Sequence, residues 1–162
     1  MPCWRAARGL PCCEGEAVKL QIPDIRQRAD YDCGAAALDA VCQFHGLRRR
    51  GPSALANAVQ GMSPDTVEAV LRSLGLSVLS GAMTLADLRH LTQTGRPVLC
   101  PITADAGGHW VVVAGVGYGR VSYHCPTHGP TKLPVAEWCL RWRDTSRAGM
   151  EFRKWGICAS RE

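Results

Sequence analysis

After Gly95 the chain changes texture, and that change limits what it can fold into. Downstream stand "RPVLCPIT" at 96–103, "HWVVVAGVG" at 109–117 and "GRVSYHC" at 119–125. These are β-branched apolar runs bounded by glycine and proline, which read as strands. The "GYG" between the second and third reads as a hairpin turn. Upstream the period is helical. Ala36, Ala37, Ala40, Val41 and Phe44 recur at three and four, which predicts a helix over 33–45 with one buried stripe and Gly46 as its C-cap. "GPSALANAVQG" at 51–61 predicts a second, short helix. "SPDTVEAVLRSLG" predicts a third, with Ser63 as N-cap, Pro64 in the first turn and Gly75 at the end. "LSVLSG" at 76–81 reads as a strand, and "TLADLRHLTQTG" as a helix capped by Thr84 with Asp87 three residues on. Residues 134–142 read as a helical turn and "KWGICA" at 154–159 as a last strand. Helices first and antiparallel strands later make the class α+β rather than alternating α/β.

A chain of 162 residues suits one domain with a real core. Residues 1–18 carry no clear periodicity and read as a loosely ordered N-terminal arm, with the domain proper over 19–162. Pro23 keeps "VKLQIPDI" extended. The net charge of +5 comes largely from arginines in "LRRRG" and at Arg141, Arg143, Arg147, Arg153 and Arg161. No basic stripe is interleaved with aromatics, so nucleic acid is not an expected partner. No apolar run approaches the roughly 20 residues of a membrane helix. The nine cysteines are an odd number, and nothing before Leu20 looks secretory. The expected setting is therefore cytoplasmic, with reduced thiols. Cys42, Cys100 and Cys139 fall at apolar positions and read as small core residues.

Cys33 needs a separate account. It opens the first helix, where unpaired N–H groups and the macrodipole favour thiolate over thiol. A buried helix-start residue and a nucleophile are both consistent with that position. A thiol nucleophile needs a base, normally histidine, which the fold brings near. His45 and His90 sit in or at the end of helices, and His124 and His128 flank a turn. His109 follows "DAGG" and opens the most apolar strand, where it can point into a cleft or simply end a loop. Cys125 and His128, with His124 adjacent, have metal-like spacing. A structural zinc site normally needs four ligands, so no metal and no cofactor is expected.

"Gln27-x5-Cys33-Gly34-x-Ala36-x-Leu38", followed by "His109-Trp110-Val111-Val112-Val113", resembles the papain-like cysteine peptidases that process bacteriocin precursors. The similarity runs from about Gln21 to Trp138. In that family a domain, often fused to an ABC exporter, cuts a leader peptide after a double glycine. The resemblance implies a papain-like fold whose central helix begins at Cys33. It also implies Cys33 as nucleophile, His109 as general base and Gln27 as oxyanion donor. Gly34, Gly107 and Gly108 would line the substrate path. The expected partners are a peptide or protein substrate and a separate membrane exporter subunit, since the chain shows neither a membrane span nor a GxxxxGK[ST] loop. One position departs from the pattern. The family places an aspartate, usually followed by proline, after the histidine strand, and here Cys125 precedes Pro126. Three readings follow: Asp105 replaces it from a loop, a Cys–His dyad works at reduced rate, or the domain binds peptides with weak or no catalysis. Another acyl transfer on the same Cys–His pair is a further alternative.

Overall fold

The apolar runs after Gly95 form the middle of one antiparallel sheet. The computed structural model describes residues 19–28, 33–47, 62–104, 107–145 and 149–161. In chain order the elements are α1 (Cys33–Phe44), α2 (Pro64–Ser73), β1 (Ser77–Ala82), α3 (Leu85–Gln93), β2 (Val98–Ala104), β3 (Gly107–Gly117), β4 (Arg120–Cys125), β5 (Gly129–Pro134), α4 (Val135–Arg141), β6 (Arg143–Thr145), β7 (Glu151–Arg153) and β8 (Trp155–Ser160). The main sheet has the order β1-β8-β2-β3-β4-β5, and β6 and β7 form a separate two-stranded ribbon. The expected helix at 51–61 and arm at 1–18 lie outside the described residues. No described helix is long and apolar enough to cross a membrane.

Strand parity divides the core. Leu99, Trp110, Val112, Ile157 and Ala159 pack with α1 and α2 on one face. Val98, Cys100, Val111, Val113 and Cys158 pack with Leu88 and Leu91 of α3 and Trp138 of α4 on the other. A sheet covered on both faces has no polar side to show, which is why β2 and β3 read as continuous apolar runs rather than alternating ones. Each fully buried valine or leucine contributes roughly 1.5–3 kcal/mol, so these two strands anchor both layers. At the β3–β4 hairpin Tyr118 has φ 54° and Gly119 φ 71°. Two positive φ values in succession are what a tight primed turn requires.

Helix α1 departs from the expected single stripe. Every residue from Cys33 to Cys42 is buried. Its alanines and glycine make this feasible, because they let neighbours approach on all sides. A Cβ on Gly34 would lie 2.8 Å from Met62 Cβ and 3.1 Å from Trp110 Cδ1. The other helices follow their signals. Ser63 caps α2, accepting from the Thr66 N–H, and Thr84 and Asp87 form a reciprocal capping box on α3. Strand β5 was not expected, because "GPTKLP" carries two prolines. It lies at the sheet edge, where a missing N–H is tolerated. Cys42 and Cys100 are buried as expected, but Cys139 is exposed. It stands on the outer side of α4, whose Trp138 faces the core.

Candidate active site

Cys33 is the first residue of α1 and is 8% exposed. Burial pushes its thiol above the ordinary cysteine range. The backbone N–H groups of Trp110, Gly34 and Cys33 itself point at the sulfur and pull the other way, while the Asp144 carboxylate adds to the upward push. The helix-start effect is therefore present, but desolvation outweighs it. Trp110 is the residue after His109 on β3, so the sulfur meets β3 one peptide unit from the histidine.

His109 is half-buried, and burial, then the charge of His128, pushes its imidazole below the usual histidine range. Its Nε2 lies 3.2 Å from Cys125 Sγ. Cys125 is the last residue of β4, beside β3 in the sheet. The thiol thus contacts the ring from the chain position where the family resemblance led us to expect an aspartate. Asp105 lies outside the described residues. Among the described residues the imidazole's hydrogen bond goes to Cys125, and Cys33 reaches the adjoining backbone instead.

Gln27 is delivered by an extended segment that runs back across the sheet. The Leu20 N–H donates to Ala114 O at 2.9 Å and the Gln27 N–H to Pro126 O at 2.9 Å. The Thr127 hydroxyl donates to Gln27 Oε1 at 3.0 Å, so the donor end of the amide faces away from Thr127. Three neighbours hold this segment. Asp24 Oδ1 accepts from Arg26 Nε at 2.6 Å and from His124 Nε2 at 2.7 Å. These two hydrogen bonds, that of Arg26 first, hold the Asp24 carboxyl at about 2. Arg26 also donates to Thr127 O at 3.3 Å, and its guanidinium fills the place a Cβ on Gly129 would take. His124 is 2% exposed. Gln27, His109 and Cys125 therefore gather around the end of β4 and its turn, and α1 brings Cys33 to the β3 backbone alongside.

The expected substrate-path glycines have different surroundings. Gly34 is packed under Met62 and Trp110. Gly107 pairs with Ala104 and Gly108 with Thr103 at the end of β2. Gly108 lies under Asp144, and a Cβ there would sit 2.5 Å from Oδ1 and 2.6 Å from Oδ2. Asp144 was not singled out in the sequence, since "LRWRDTS" matches no catalytic spacing. The Asp24–His124 pair and Thr127 were missed as well, because each joins residues about a hundred positions apart. His45 Nε2 donates to Ala159 O, 2.9 Å away, and has no part in the site. Among the described residues no group of three His, Cys, Asp or Glu gathers around a metal position.

These groups suit acyl chemistry. A thiol stands over helix N–H groups, an imidazole is held at Nε2 by a second thiol, and a carboxamide donor is fixed by its oxygen. The Peptidase C39 family matches residues 21–146. Among the solved structures similar in fold are the following three. One is a double glycine motif protease from an AMS/PCAT transporter in complex with the leader peptide, with TM-score 0.64, 19% identity, and cover of 87% of this chain and 91% of that one. Another is the peptidase domain of Streptococcus ComA, a bifunctional ABC transporter involved in a quorum sensing pathway, with TM-score 0.68, 18% identity, and cover of 90% and 99%. The third is the N-terminal peptidase C39 like domain of the toxin secretion ATP-binding protein from Vibrio parahaemolyticus, with TM-score 0.59, 15% identity, and cover of 83% and 100%. No curated protein matches the chain.

Proposed function

Because the chain belongs to the peptidase C39 family, with the helices and antiparallel sheet of its papain-like fold, we propose that it is a thiol peptidase cutting peptides after a double-glycine or similar small-residue site. One observation carries the reading: the Trp110 N–H, next to His109, points at the Cys33 sulfur. This ties the proposed nucleophile to the β3 residue that follows the proposed base. In this reaction His109 takes the Cys33 proton as the sulfur bonds to the scissile carbonyl carbon. The oxyanion is held by the Gln27 amide N–H and the Cys33 backbone N–H. Collapse of the tetrahedral species breaks the C–N bond, and His109 returns the proton to the leaving amine. Water then adds to the thioester by the same route and frees the acid and the thiol. The free chain holds both partners near neutral, since burial raises the thiol and lowers the imidazole.

A preference for small residues before the cut follows by analogy with the double glycine motif protease. A leader peptide is the substrate class by analogy with the double glycine motif protease. An ABC exporter is the corresponding partner, by analogy with the Streptococcus ComA peptidase domain, and the cytoplasm the corresponding place. Incubating the purified chain with an extended-peptide library should give cuts after Gly-Gly or Gly-Ala. A profile that prefers bulky residues before the cut would sink this reading.

Cys125 supplies a second test. A thiol at Nε2 does not stabilise an imidazolium as a carboxylate does. Cys125→Asp is expected to raise kcat about ten-fold, well below the roughly 10⁴ that an orienting aspartate is worth in a serine triad, because a thiol needs less help than a hydroxyl. Turnover and melting temperature should be measured together. A fall in both would make Cys125 a packing residue, with the new carboxylate buried to no benefit.

A further inference from the structure

The β6–β7 ribbon stands outside the six-stranded sheet, yet it sets one carboxylate against the candidate site. The Thr103 hydroxyl donates to Arg143 O at 2.7 Å, and Thr103 is the register partner of Gly108. That bond fixes the ribbon so that both oxygens of the next residue, Asp144, lie over Gly108. Gly108 precedes His109, so the carboxylate stands one residue from the imidazole along β3.

Asp144 is poorly compensated there. It is half-buried, and burial pushes its pKa above the ordinary aspartate range. Its Oδ1 accepts from the Thr145 N–H at 2.8 Å. The ion pairs among the described residues join Arg26 and His124 to Asp24, Arg72 to Glu68, Arg141 to Glu137 and Arg153 to Glu151. None reaches Asp144. Arg143, its neighbour on β6, is exposed. A partly desolvated carboxylate without a cation is a cost to the free chain. Asp144 also pushes the Cys33 thiol up, which works against the nucleophile. A bound cation would relieve both effects.

We propose that Asp144 is a cation-recognising subsite beside the nucleophile, which takes the ammonium or guanidinium of a lysine, an arginine or a free amino terminus within a residue or two of the scissile bond. It rests on the peptidase reading and adds a charge rule to it. An extended peptide advances about 3.3–3.6 Å per residue, so a side chain near the cut is the part of a substrate that would meet a carboxylate whose charge is felt at Cys33. Neutralising Asp144 also eases formation of the Cys33 thiolate, so a basic substrate is both selected and attacked faster. An acidic group in the same place meets repulsion, the other half of specificity.

Thiol labelling tests the subsite without requiring catalysis. The full chain is treated with a cationic and an anionic methanethiosulfonate of matched size, and the rate at Cys33 is followed by peptide mapping. The chain's net charge of +5 favours the anionic reagent overall, and exposed Cys139 reports that bias. Cys33 should nevertheless prefer the cationic reagent by about five-fold or more, and 1 M salt should compress the preference. Asp144→Asn should bring the ratio at Cys33 close to that at Cys139, and Asp144→Lys should invert it. Lysine-to-glutamate discrimination in kcat/KM, read on peptides charged beside the small-residue site, should collapse in parallel. Equal reagent rates in the wild type, or an unchanged ratio in Asp144→Asn, would overturn the subsite. Peptides cut with no charge preference would overturn it and leave the peptidase reading intact. Charge-selective labelling without any cleavage would support the subsite and count against the peptidase.

Discussion

Cys33→Ala is expected to remove peptide cleavage almost completely, by a factor on the order of 10⁴–10⁶ in kcat, the scale set by deleting the nucleophile of a serine enzyme. The substitution leaves an alanine where three of the next four residues are already alanine. Sulfur loss at this nearly buried position costs about 1 kcal/mol, which for a chain of this size moves the melting temperature by roughly 2–4 °C. The informative result is therefore a large kinetic loss beside a small thermal one. Steady-state cleavage and a thermal melt on one preparation provide it. Cleavage that survives in the alanine variant would place the nucleophile elsewhere.

Gln27→Ala is expected to lower kcat by about 10²–10³, the usual scale for one oxyanion donor, with little change in KM. A group that binds only the developing oxyanion acts on the transition state and not on the bound substrate. Thr127→Val should lose part of the same factor, because the Thr127 hydroxyl fixes Gln27 Oε1 and so aims the amide. Separate kcat and KM values decide it. A rise in KM at constant kcat would make Gln27 a substrate contact instead.

The outline of the fold was legible because its signals are local. Ser63, Pro64 and Gly75 bound α2, Thr84 and Asp87 cap α3, and Gly119 permits the hairpin. Cys125 was singled out only through the family resemblance, and the structure sets its Sγ 3.2 Å from His109 Nε2. Periodicity could not reveal that α1 is enclosed on every side. Small residues satisfy a stripe pattern and an all-round pattern equally, and only the packing of Met62 and Trp110 on Gly34 distinguishes them. Nor could the helix-start position of Cys33 foretell its thiol, because the desolvation that outweighs the dipole is a property of the assembled core. Asp144 was invisible for a related reason. Its place over Gly108 depends on a hydroxyl–carbonyl bond between Thr103 and Arg143, and neither residue carries a motif. Asp24 and His124 are likewise ordinary residues until β4 brings them to 2.7 Å.

The sheet order has a consequence for how the chain reaches this state. Strand β8 lies between β1 and β2, so the latest element in chain order fills an inner place. Its partners on β1 begin at the pair Ser77 and Ser160, separated by about half the chain. Pairing across such a separation is slow, because loop closure must precede any gain from contact. Until β8 arrives, β1 and β2 each present an unpaired edge. A nascent or truncated chain stopping before Trp155 would therefore leave β1 without its sheet partner, with strand edges open to association with other chains. Completion of the sheet, and of the layer under α1 that carries Cys33, is accordingly a late event in the life of each molecule.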